Sequence, residues 1–229
     1  MKVTCPQLFY RLRCAYRQWP DKPKDLTKML NKAFFVGDHV ALDFLNTIAA
    51  PRGEVIEFIP DGEAYLAWLV ESALLDRTET HALLDRFGKP RLDRVASEAR
   101  ELREWFRQVI PKLAGTRPQA PTDEMIDTLN RILSSDYAYR QLERRDSHLV
   151  LRERCKITKV QQLLVPVAQK IAELFTYADT VLIKRCSNPS CTLWFYDKTK
   201  AHRRLFCSTA VCGNRAKVAA YRERQKHAT

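Results

Sequence analysis

The amino-acid sequence predicts a mainly α protein: a helical N-terminal domain followed by a small C-terminal module of one β-hairpin and one helix. Three observations predict it. Apolar residues recur at helical spacing from Phe34 to about Asp179. Four of the seven cysteines fall between Cys186 and Cys212. Positive charge gathers in that same stretch. The expected boundaries are a poorly ordered basic leader over 1–32, a helical domain over 33–180 and the cysteine module over 181–229.

The elements follow in chain order. GDHVALDFLNTIA puts Val40, Phe44, Leu45 and Ile48 on one helical face, with Asp38 as the expected N-cap. DGEAYLAWLVESALL repeats the pattern, with Asp61 at its start and Leu66, Leu69, Val70, Ala73 and Leu74 inward. Thr78 caps a short helix that Gly88 ends after Phe87. Pro90, favoured at a first helical position, opens the longest pattern, with Leu92, Val95, Ala99, Leu102, Phe106, Val109, Ile110 and Leu113 in phase. GTRPQAPTD reads as a linker. Thr122 then opens a helix with Met125, Ile126, Leu129 and Ile132 inward, and HLVLRER at 148–154 alternates as a strand. Val160 to Ala178 is helical again, with Pro166 kinking or delaying it.

Several function classes are excluded or unsupported. No apolar run reaches the roughly 18 residues that cross a bilayer, and the basic start lacks the apolar stretch of a secretory signal. A cytoplasmic protein is expected. Neither a phosphate-cradling GxxxxGK[ST] loop nor HExxH nor GxSxG occurs. His39, His81 and His148 stand without ligand spacing, and Asp38 and Asp43 fall on different helix faces. The sequence therefore reads as a non-enzyme.

Charge and cysteines are more specific. Residues 184–229 carry eleven Lys and Arg against Asp197 and Glu223, which is +9 of the formal +12. Such an excess on one small module points to an anionic partner, most often nucleic acid. The odd cysteine count argues against a disulfide framework. Cys186-x4-Cys191 and Cys207-x4-Cys212 are separated by fifteen residues. Two equally spaced pairs supply the four thiolates of a closed structural site, and Zn2+ is the expected ion. So short a module buries too little surface to fold alone, and metal supplies the missing stability. TLWFYDKTKAHRRLF between the pairs reads as a hairpin, with Leu193–Tyr196 as one strand and RRLF as the return. Alternation sends Trp194 and Tyr196 to one face and Phe195 to the other. Asp197 and His202 are weaker candidate ligands beside four thiolates.

A basic helix follows Cys212. Arg215, Arg222 and Lys226 share one side, with Lys217 and Arg224 roughly opposite. Without a wide apolar stripe the helix is a contact element rather than a core element. Arginine forks onto phosphate oxygens or onto guanine O6 and N7. The nucleic-acid candidates are Arg203, Arg204, Asn214, Arg215, Lys217, Arg222 and Arg224, with Asn214 alternatively capping the turn.

Together, Cys186–Cys191 with its Asn-Pro, Phe195 with Asp197, Arg203–Cys207 and Cys212-Gly213-Asn214-Arg215 through Arg222 resemble the CGNR zinc finger of bacterial proteins. LDFLNT at 42–47 and AYLAWLVESALL at 64–75 resemble the opening of the helical ABATE-type domain that precedes that finger, a domain of stress-induced transcription regulators. The likeness spans about residues 33–225. It implies zinc on the four cysteines and DNA binding by the finger. The helical domain is expected to sense a signal or self-associate, and one finger offers so little interface that specific binding calls for a homodimer. The alternatives are a protein-interaction module acting on the transcription machinery, a redox switch built on the zinc thiolates, and an RNA partner.

Overall fold

In the computed structural model, which describes residues 33–50, 54–115, 119–135 and 138–227, the chain is mainly helical. The expected leader over 1–32 lies outside the described residues. Helix α1 (Val40–Leu45) leads into the short strands β1 (Ile48–Ala49) and β2 (Ile56–Glu57), which pair antiparallel. Helices α2 (Gly62–Glu71), α3 (Thr80–Phe87), α4 (Lys89–Leu113) and α5 (Asp123–Leu133) follow. Strands β3 (Ala138–Arg145) and β4 (His148–Cys155) form a long antiparallel hairpin. Helix α6 (Val165–Tyr177), strands β5 (Ile183–Arg185) and β6 (Trp194–Tyr196) and helix α7 (Asn214–His227) complete the order. Among the described residues no helix is long and apolar enough to cross a membrane.

Helix α4 is the axis of the helical part. Its eight phased apolar residues are all buried, as the spacing predicts. Helix α2 packs along it, and α6 closes the core against α1 and α5. Asp61 caps α2 by accepting from the Ala64 N–H at 2.9 Å, and Thr122 caps α5 through the Met125 N–H. Gly88, at φ 71°, ends α3 in a backbone state that side chains resist. Pro166 delays α6: residues Val160–Leu164 wind as a tighter 3-10 turn, and the α-helix begins at Val165.

Several local expectations are corrected. Asp38 does not cap α1; it sits at φ 56°, and the His39 Nδ1 accepts from the Ala41 N–H at 3.2 Å. Burial, then the charges of Lys198 and Lys170, depress the His39 pKa to about 4, which keeps that nitrogen free to accept. Helix α1 stops at Leu45, and Ile48 goes into β1. Ala73 is exposed, and so is Ile126. HLVLRER is a strand, but its partner AYRQLERR has no clear alternation and went unread. The hairpin expected between Leu193–Tyr196 and RRLF does not form. Strand β6 pairs with β5, so the first cysteine pair lies in the loop of that hairpin.

Buried charge ties the helices to the strands. The Arg103 guanidinium is nearly fully buried and forks onto both Glu57 oxygens, at 2.7 and 2.6 Å. It also donates to Thr47 Oγ1, so α4 is tied to the β1–β2 pair both at β2 and just before β1. Asp43 is the opposite case. Burial pushes its carboxyl up to about 8, while it accepts from the Gly37 N–H at 2.8 Å. The folded state therefore holds a proton that the unfolded chain releases near pH 4, and stability falls as pH rises from about 4 to about 8. Asp43→Asn keeps the acceptor and removes the ionisation. Its unfolding midpoint should exceed the parent's at pH 8, and the two should converge near pH 4. A constant offset at both pH values would refute this role.

Candidate metal centre and nucleic-acid interface

The metal centre is assembled from two knuckles. The first turns between β5 and β6, where the Cys191 N–H donates to the Asn188 carbonyl at 2.9 Å and the Asn188 side chain accepts from Ser190. That is a reason for Asn-Pro between the first cysteines: asparagine folds the turn through its own carbonyl oxygen, and proline presets φ. The second knuckle is a wide helical turn, Thr209–Gly213, that runs directly into α7.

The four cysteine sulfurs are buried and lie within 4.8 Å of one another. Cys207 is 3.7 Å from Cys191 and 3.6 Å from Cys212. Metal–sulfur bonds of about 2.3 Å in a tetrahedron require sulfurs about 3.8 Å apart, so the cluster fits an ion of zinc's size and preference. The Cys207 N–H points at the Cys186 sulfur at 3.4 Å, a contact suited to a thiolate. Four thiolates cannot share this volume without a cation. Hydrogen bonding from Cys207 pulls Cys191 down to about 5. Donation to Cys191 in turn holds Cys207 well above the ordinary thiol range, while burial and the Cys191 charge push Cys212 up to about 12. A divalent ion removes that conflict.

The cluster is not confined to the C-terminal segment. Leu193 and the fully buried Phe195 pack on the sulfurs, and so does Ala49 from β1, with Phe34, Val36 and Phe58 alongside. Trp194 and Tyr196 face the other way, onto the helical core, as alternation requires. Backbone and side chains stitch this seam. The Asn46 side chain donates to the Trp194 carbonyl at 2.8 Å and accepts from the Trp194 N–H at 2.9 Å. The Tyr196 N–H donates to the Gly37 carbonyl at 2.7 Å. A Cβ on Gly37 would stand 2.8 Å from that of Leu42 and 2.9 Å from Asp43, so only glycine fits this close approach.

Arg204 has a different position from the one expected. Its guanidinium turns inward, lies 4.3 Å over the Phe195 ring and donates to Asp38 and to the carbonyls of Val36, Phe206 and Cys207. Those bonds take up the guanidinium in the fold. Asp197, a weaker ligand candidate in the sequence, is a fully buried hub instead. It accepts from Lys184 Nζ at 2.7 Å, from the Thr199 hydroxyl and N–H, and from the Arg204 N–H. Burial alone would raise its carboxyl; these donors hold it below the usual carboxylate range.

The other candidates lie outward. Arg203 is exposed, as are Lys217, Arg222 and Arg224 on α7, while Arg215 is half-buried. Asn214 is exposed, and its amide donates to the Ala210 carbonyl, bracing the turn. Val218 and Tyr221 are exposed between the two basic edges of the helix. Asn46, Gly37 and Asp38 went unread as site residues. Asn46 is a polar residue one step past an apolar run, which is the signal that could have found it.

Two family matches cover almost all of these elements. Residues 38–178 match ABATE, described as "putative stress-induced transcription regulator", and residues 183–225 match the CGNR zinc finger. No curated protein is a significant match. With more than half of its length in the first match and the four-cysteine centre in the second, the chain belongs to the ABATE family of regulators and ends in a CGNR zinc finger.

Proposed function

We propose that this chain is a zinc-binding transcription regulator that grips DNA through α7 and Arg203, with the helical domain receiving a signal. The observation that carries the reading is α7 itself. Cys212, in the turn just before it, fixes its start; it is exposed from Lys217 to Gln225, and it carries Arg215, Lys217, Arg222 and Arg224. Lys217, Arg222 and Arg224 are exposed on it. Held at one angle by the metal, it presents them to phosphates in fixed register. Four thiolates in a closed set suit zinc as a structural ion.

The test is duplex affinity against salt. Log affinity should fall linearly with log salt, and Arg222→Ala or Arg224→Ala should each lower the slope by about one. Affinity indifferent to salt would end the reading. Selection from a random duplex pool, with and without chelator, then asks whether sequence is read. The exposed Val218 and Tyr221 favour one second reading, a protein partner with an acidic surface and an apolar centre. A complex that survives nuclease and is lost with Tyr221→Ala would select it.

A further inference from the structure

The β3–β4 hairpin is the largest feature that the metal centre and α7 leave without a role. Residues directly opposite across a ladder share a face. The register pairs Leu142 with Leu151, and Leu149 lies two positions from Leu151, so the three leucines share one face. They are 61%, 51% and 65% exposed respectively. Among the described residues no third strand joins the pair. A lone two-stranded hairpin is marginal in water, and one with open edges and an apolar face is a template for pairing.

We infer that the occupant is a second copy of this chain, pairing β4 with β4 about a two-fold axis at Val150. The argument lies in the strand's own symmetry. Leu149-Val150-Leu151 reads the same in both directions. A two-fold at Val150 sets each Leu149 opposite Leu151 of the second copy. Moving the axis to Leu151 would set Leu149 against Glu153; moving it to Leu149 would set Leu151 against Ser147. Either shift leaves one leucine facing a polar residue, and the Val150 register alone pairs both leucines of β4 with leucine. It also opposes residues of like parity, so outward-facing backbone groups meet outward-facing ones. Two marginal hairpins become one four-stranded antiparallel sheet, and two exposed leucine triplets become one ridge with cross-strand contacts. The hairpin's arginines make nucleic acid the competing occupant, but three exposed leucines are not what phosphates select.

The test is sedimentation equilibrium of the full chain without DNA, with helix content and bound metal as folding controls. The parent should dimerise reversibly. Leu149→Lys alone, or Leu151→Glu alone, should weaken self-association at least about tenfold. The double variant Leu149→Lys with Leu151→Glu should restore it, because the register opposes the two new charges twice, and high salt should then weaken the restored dimer. A parent that stays monomeric overturns the proposal. So do single variants that dimerise like the parent, and a double variant that stays as weak as the singles. Single variants that lose DNA affinity with no change in mass would assign the hairpin to nucleic acid instead.

Discussion

Cys207→Ser should abolish stoichiometric metal binding and destabilise the helical core along with the terminal module. Cys207 sits at the middle of the cluster, within 3.7 Å of Cys191 and 3.6 Å of Cys212, with its N–H on the Cys186 sulfur. A structural zinc contributes about 10–16 kcal/mol in small fingers, far more than the buried surface of so short a module. The effect spreads because Phe34, Val36, Ala49 and Phe58 pack on the same cluster. Loss of the ion uncovers those residues and loosens the Asn46–Trp194 pair. For a chain of this size each kcal/mol lost lowers the midpoint by about 2–4 °C, so a drop of about 10 °C or more is expected for the parent in chelator as well. Far-UV thermal melts with and without chelator, beside elemental analysis, measure it. Coincident melts would show the finger to be independent of the helical part.

Arg204→Ala should cost about 3 kcal/mol of folding stability and leave the salt slope of DNA binding unchanged. Truncation strips donors from three carbonyls and from Asp38, and removes the cation over Phe195. Arg204→Lys should rescue little, because one ammonium cannot span those acceptors as the planar fork does. Urea titration gives the stability, and the slope of log affinity against log salt gives the contact. The contrast with its neighbour Arg203, which is exposed, is the informative one: Arg203→Ala should keep stability and lower the slope by about one. A stable Arg204→Ala chain with a reduced slope would return that residue to the phosphates.

The two arginines show where sequence reading stops. Adjacent in the chain and equal in charge, they are separated by which one faces Asp38, a residue distant in sequence. The long helices were legible because eight apolar residues in phase along α4 admit one buried face. The four-cysteine cluster was legible because two equal cysteine spacings pair off four sulfurs. Strand β3 was not, since its alternation is masked by arginines on both faces.

The amino-acid sequence by itself determined the helical class, the four thiolates and the basic terminal helix, because each is written in local spacing. Tertiary structure alone decided that β6 pairs with β5, that Asn46 and Arg204 lock the metal module to the segment before α2, and that Asp197 is a hub instead of a ligand. Those outcomes depend on which distant groups desolvate one another. A buried donor must find an acceptor wherever the fold places one, and no local pattern encodes that partner.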